Sequence, residues 1–355
     1  MSEARWFERS MDVPPDEGGG LGAARRVVVV GAGGLGTVYG AALARSGADV
    51  QLLARRAHAE AIQRTGCVEV RQPEARFTVA LRAQWRPERI EPADTVVLMT
   101  KSHDTVRALA GLEHIAPEVQ VAVSFQNGVE KDRLLAQWCG ADRVIGAMSM
   151  VGGTLDAPGR VSHTLLGTSY LGELPRGLTP RVRALGADLQ AGGMPVGCSE
   201  RIRAIEWSKL VHAGPSMTIT ALPRLPFHQA LQDPGMADLY VRLLREGAAV
   251  AAGDPDAVPL EDLPGMFPVH KLSTIERGEA VEIVRGFGRR MQEAGSTNVI
   301  TSMLRDLQNG RRLELDAVHG FLVDEAQRLG LDVLYSRACL ELLQALDPHA
   351  LKATA

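Results

Sequence analysis

Four β-branched residues in a row, Val27 to Val30, run straight into the glycine turn GAGGLG at 31–36. This junction constrains the fold more than any other stretch. An unbroken apolar run of that kind suits a strand buried on both faces, the condition of a central parallel strand. Gly31, Gly33 and Gly36 follow in the spacing G-x-G-x-x-G, and the next residues, TVYGAALARSG, place apolar side chains at helical intervals. Between a strand and a helix the three glycines serve different ends. Gly31 makes the tight turn, Gly33 lets backbone approach a pyrophosphate, and Gly36 lets helix and strand pack closely. The helix start then offers free N–H groups to phosphate. A bare glycine pattern also fits an ordinary strand-to-helix turn. The flanking strand and helix assign this one to a dinucleotide, with Gly31, Gly33, Gly34, Leu35 and Gly36 as cofactor-binding residues.

The second strand, Asp49–Ala54, ends at Arg55-Arg56. An NAD enzyme places an acid here, roughly 20 residues past the first glycine, to hold the ribose 2′-hydroxyl. The acid is missing, and two guanidinium groups suited to a 2′-phosphate stand in its place. The expected cofactor is therefore NADPH, with Arg55 as a contact. Two later buried runs, Asp94–Met99 and Val119–Phe125, end in Thr100-Lys101-Ser102 and Gln126-Asn127-Gly128. Ligands of open parallel sheets bind beyond the carboxyl ends of strands, which makes Lys101 and Asn127 candidates; Asn-Gly is also a common turn pair.

At 355 residues the chain exceeds what one core holds comfortably, so two domains are expected. The predicted fold class is α/β: an N-terminal Rossmann domain with a parallel sheet at 25–198, then an all-helical domain at 199–355. Hairpins from Val151 to Leu174 are expected to add antiparallel strands at the sheet edge. Residues 1–24 read as a flexible tail without the apolar core of a signal peptide, and no segment is long and apolar enough to span a bilayer, which implies a cytoplasmic protein without membrane contact. A formal net charge of -3 gives no reason to expect nucleic acid. The four cysteines lack C-x-x-C spacing, so neither a metal site nor a disulfide scaffold is expected. The proline-rich segment Leu222–Phe267 reads as a surface insertion, with a lid or a homodimer contact as alternatives.

A nicotinamide supplies only hydride, so a proton donor and substrate-holding groups must come from the second half. GAGGLG at 31–36, Arg55, TKSHDT at 100–105, QNG at 126–128, EWSKL at 206–210, and SMLRD at 302–306 followed by Glu314 together resemble the ketopantoate reductase family. The order and spacing agree over about Arg25 to Gly330. The resemblance implies NADPH, a small-molecule 2-oxo acid substrate, and reduction of 2-dehydropantoate to pantoate, a step of pantothenate biosynthesis. It makes Lys209 the general acid and Glu314 its orienting partner. Ser302 would hold the substrate carboxylate, Asn127 would lie beside nicotinamide and substrate, and Arg55 and Lys101 would take the phosphate end of the cofactor.

The chain departs from the family where members usually carry asparagine, one and two turns after the catalytic lysine. Those positions are Ala213 and Met217, with Gly214-Pro215 between them. Losing an amide that binds substrate should weaken discrimination by on the order of 1 to 3 kcal/mol. Pro215 is expected to kink the helix. His212 reads as a surface histidine or a substitute polar group. Two alternatives stay open: a relative that reduces another oxo acid or an imine, and a non-catalytic NADPH-binding sensor.

Overall fold

The computed structural model describes residues 25–349, so the tail assigned to 1–24 lies outside it. The chain forms two compact units. One runs to Gln126 and resumes over Glu130–Arg203; the other takes Asn127–Val129 and the chain from Ala204 on.

The first unit contains twelve described strands: β1 (Arg26–Val30), β2 (Asp49–Leu53), β3 (Cys67–Gln72), β4 (Ala75–Ala80), β5 (Arg82–Gln84), β6 (Thr95–Leu98), β7 (Val121–Ser124), β8 (Val144–Ser149), β9 (Gly152–Ala157), β10 (Arg160–Leu165), β11 (Ser169–Glu173) and β12 (Val196–Cys198). Its helices are α1 (Gly34–Arg45), α2 (Arg56–Thr65), α3 (Thr105–Ala110), α4 (Lys131–Cys139) and α5 (Pro180–Ala191). Eight strands form one sheet in the order β12-β11-β8-β7-β6-β1-β2-β5. Every neighbouring pair is parallel except β11 with β8. The valines of β1 divide between the two faces: Val27 and Val29 enter one apolar layer, Val28 and Val30 the other. Full burial of each is worth about 1.5 to 3 kcal/mol, which is why an unbroken β-branched run belongs at the sheet centre.

One strand pairing differs from expectation. The β9–β10 hairpin leaves the main sheet and joins the β3–β4 hairpin in a second sheet of order β4-β3-β10-β9, with β10 parallel to β3. At the main sheet's edge β11 pairs antiparallel with β8, and β12 runs parallel to β11, so both oppose the remaining strands. A hairpin's own alternation fixes its two faces but not the third strand it pairs with.

The second unit is helical, with α6 (Ile202–Ala221) entering it from the first, then α7 (Phe227–Gln232), α8 (Pro234–Ala251), α9 (Val269–Thr274), α10 (Arg277–Glu293), α11 (Ser302–Gln308), a π turn at Asp316–Gly320, α12 (Phe321–Leu329) and α13 (Leu334–Leu346). The segment Leu222–Phe267 is no surface insertion: its Tyr240, Leu244 and Phe267 belong to the core of this unit. Pro234 opens α8 rather than marking a loop, as its fixed φ permits. Helix α6 likewise continues through Pro215 to Ala221. The hydroxyls of Ser216, Thr218 and Thr220 donate back along the helix to the carbonyls of His212, Gly214 and Ser216 at 2.8, 2.9 and 2.8 Å. No described helix is long and apolar enough to cross a membrane.

Candidate functional site

The glycine turn has the geometry its sequence calls for. Gly31 has φ +89°, and a Cβ there would lie 2.5 Å from the backbone nitrogen of Thr100, so no other residue fits without strain. A Cβ on Gly36 would meet the Gly31 carbonyl at 2.7 Å. Gly33, by contrast, faces open space, and a Cβ there would touch nothing within 4 Å. As N-cap of α1 it makes no side-chain cap, and no acid stands in the first turn. The positive end of α1 is therefore left for an anion beside exposed backbone. Behind it, Gly34 and Leu35 pack against the backbone of β9: a Cβ on Gly153 would lie 2.7 Å from the Leu35 Cα.

The two arginines after β2 separate in role. Arg56 donates to Glu60 at 2.7 Å and lies over Trp85 at 4.9 Å. Arg55, the N-cap of α2, is exposed, and its guanidinium makes no hydrogen bond, ion pair or ring contact among the described residues. Two carbonyl-end loops of the sheet are tied together by Gln126, whose Nε2 donates to Thr100 O at 2.7 Å, Thr100 Oγ1 at 2.9 Å and Thr105 Oγ1 at 2.8 Å. This ties Gln126, just after β7, to the loop that carries half-buried Lys101. Gln126 stood in the motif, but nothing in a lone glutamine signals a clamp.

In the second unit, Lys209 is half-buried on α6, between buried Ser208 and Leu210. The helix is anchored beside it: Trp207 Nε1 donates to Asp254 at 3.0 Å, and the Glu261 N–H donates to Ser208 Oγ at 2.7 Å. Burial lowers the Lys209 ammonium to about 8. An amine in that range is still protonated at neutral pH and yields its proton readily, as a general acid requires. His212, one turn on, is not a plain surface histidine. Its Nδ1 bonds the Tyr240 hydroxyl at 2.8 Å, its ring packs 5.3 Å from that of Phe267, and burial together with the Lys209 charge presses it down to about 3. Ala213 and Met217 are both buried and apolar.

Glu314 is half-buried between Leu313 and Leu315, which point into the core. No direct pair joins Glu314 to Lys209 among the described residues. Ser302 is exposed at the start of α11, where Thr301 is the N-cap. The π turn touches the segments that carry Asn127, Lys209 and Glu314. It starts two residues after Glu314, and the Leu315 carbonyl accepts the N–H groups of Val318, His319 and Gly320 at 3.3, 2.9 and 2.9 Å. Gly128, at φ +86°, lies so close to this turn that a Cβ would meet the Ala317 carbonyl at 2.4 Å. On α6, His319 Nε2 contacts Thr218 Oγ1 at 2.9 Å and Gly214 O at 3.2 Å.

Comparison with known proteins then places the chain. Residues 27–176 match the family model described as ketopantoate reductase PanE/ApbA, and residues 201–347 match that of the ketopantoate reductase PanE/ApbA C terminal. The chain belongs to the ketopantoate reductase family. The 2-dehydropantoate 2-reductase of Archaeoglobus fulgidus is 26% identical over 323 residues, 91% of this chain and 98% of that protein. The crystal structure of a PanE/ApbA family ketopantoate reductase from Ralstonia eutropha JMP134 matches at TM-score 0.76 and 26% identity, covering 92% of this chain and 99% of that one. D-mandelate dehydrogenase, in a ternary structure with NADH and anilino(oxo)acetate, shares the fold at 18% identity and TM-score 0.76, over 92% of this chain and 99% of that one. The ketopantoate reductase resemblance read from scattered motifs thus holds over both units, and the α/β-then-helical fold class with it.

Proposed function

We propose that the protein is an NADPH-dependent reductase that converts a 2-oxo acid to a 2-hydroxy acid, with 2-dehydropantoate as the reference substrate of its family. The observation that carries this reading is Lys209, a lysine of lowered pKa on the anchored helix of a ketopantoate reductase chain. The open backbone at Gly33, the uncapped start of α1 and the unengaged Arg55 fit a dinucleotide with a 2′-phosphate. NADPH held there would supply the hydride for the carbonyl carbon. Arg55 and Lys101 would hold its phosphates, and Asn127 would lie beside its nicotinamide. Lys209 donates a proton to the carbonyl oxygen as negative charge develops on it, Glu314 orients bound substrate and lysine, and Ser302 receives the substrate carboxylate.

Ala213 and Met217 favour a second reading of the substrate. Apolar side chains offer no hydrogen bond to the hydroxyl of ketopantoate, which favours a 2-oxo acid with an apolar substituent. Loss of NADPH absorbance over a panel of 2-oxo acids tests both readings. Turnover of ketopantoate and of apolar 2-oxo acids is expected, faster on the latter. No turnover of any 2-oxo acid, with NADPH still bound, sinks the reductase assignment in favour of a sensor.

A further inference from the structure

We propose that His319 is a positioning residue: by bonding α6 at Gly214 and Thr218 it fixes the π turn on which the Glu314 segment and the Asn127–Gly128 turn both depend. The proton positions follow from the partners. Thr218 Oγ1 donates to Gly214 O at 2.9 Å, so its oxygen is left to accept from His319 Nε2–H at 2.9 Å, and the same N–H reaches Gly214 O at 3.2 Å. Nε2 therefore carries a proton, and buried Nδ1 meets no partner among the described residues, so burial favours the neutral ring with its lone pair on Nδ1.

The placement gives this contact its reach. Gly214 lies five residues beyond Lys209 on one helix, and His319 five residues beyond Glu314. Between Glu314 and His319 the backbone converges on the single carbonyl of Leu315, so a shift of His319 is transmitted to the segment that starts at Glu314. On the other side, the Ala317 carbonyl abuts Gly128 closely enough to exclude any side chain, so the turn bearing Asn127 moves with the π turn. π turns inside helical segments occur often where side chains serve a site. Here one histidine ties together three segments that carry candidate site residues.

The kinetic part of this proposal rests on the reductase reading; the hydrogen-exchange part does not. In the full-length protein, H319A is expected to speed amide exchange by tenfold or more at 315–320 and 128–129 while the amides of α10 keep their rates. T218V, which removes the hydroxyl but keeps the histidine, is expected to give a smaller rise at 315–320. H319Q restores an N–H donor and is expected to return exchange most of the way. In turnover, H319A is expected to lower kcat tenfold or more with the dinucleotide KM changed less than twofold, and H319Q to recover kcat. The proposal is overturned if exchange rises uniformly through α10, if H319Q is as impaired as H319A, or if kcat of H319A stays within twofold of the parent. Should H319A fail to fold, unchanged exchange at 315–320 in T218V overturns it equally. If the parent reduces no 2-oxo acid, the reductase reading fails alone, and the exchange comparison still decides the role of His319.

Discussion

Thr37 of α1 and His58 of α2 are joined by a 3.0 Å hydrogen bond whose direction is set from elsewhere: the Gly159 N–H donates to His58 Nδ1 at 2.9 Å, which leaves Nε2–H for the threonine hydroxyl. One imidazole thus braces the helix of the glycine turn, the helix that begins beside Arg55, and the β9–β10 turn. Replacing His58 with alanine leaves the buried Thr37 hydroxyl and the half-buried Gly159 N–H without this partner and is expected to cost about 2 kcal/mol, against about 1 kcal/mol for T37V. Urea denaturation of both single variants and the double variant checks this. Full additivity would show that the bond contributes nothing.

Arg55 and Arg56 should differ in their effect on the cofactor. Removing the unengaged guanidinium with R55A is expected to raise the NADPH KM about tenfold and leave the NADH KM nearly unchanged, the loss of roughly one charge-assisted contact. R56A, which loses its pairing with Glu60 and its stack on Trp85, should affect both cofactors alike and only slightly. Equal effects of R55A on the two cofactors would refute recognition of the 2′-phosphate.

The lowered Lys209 has a pH signature. A general acid must carry its proton before the step, so the rate of carbonyl reduction is expected to be level below about 8 and to fall up to tenfold per pH unit above it. K209A should lower kcat by roughly 100- to 10,000-fold and abolish that limb of the profile. Steady-state rates from pH 6 to 10 decide this, and a K209A enzyme with near-parental kcat would remove Lys209 from the mechanism.

Buried histidines make the fold sensitive to acid. Burial holds His319 at about 4, below its ordinary 6.5, and lowers His58 in the same direction. In the folded state these imidazoles stay neutral, whereas in the unfolded chain they take up protons below about 6.5, so the stability they contribute is complete above that pH and drains as pH falls below it, for His319 down to about 4. Each contributes a slope of up to about 1.4 kcal/mol per pH unit within its own window. Urea midpoints between pH 7 and 4.5 should fall with acid, and H319Q should flatten the curve.

Local patterns made much of the fold legible. The valines of β1 announced a strand buried on both faces, and the glycines after it a tight turn into a helix, because both depend on neighbours in sequence. The partner of the β9–β10 hairpin was not legible, since the same alternation serves either sheet. Proline content misled at Leu222–Phe267, which reads as a surface insertion and instead supplies core residues, with Pro234 opening α8. For the candidate site, family motifs supplied Lys209 and Glu314. His319 left no trace in them, since its partners Gly214 and Thr218 lie about a hundred residues away and only folding brings them together.

The short excursion of Asn127–Val129 into the helical unit bears on any attempt to recombine this protein with its relatives. Val129 belongs to the hydrophobic core otherwise built from the chain beyond Ala204. A chimera made with a single crossover at Arg203 would combine one parent's core with the other parent's valine and asparagine turn. An exchange of the helical half that respects the packing requires two segments, the long one from Ala204 and the three residues from Asn127, moved together.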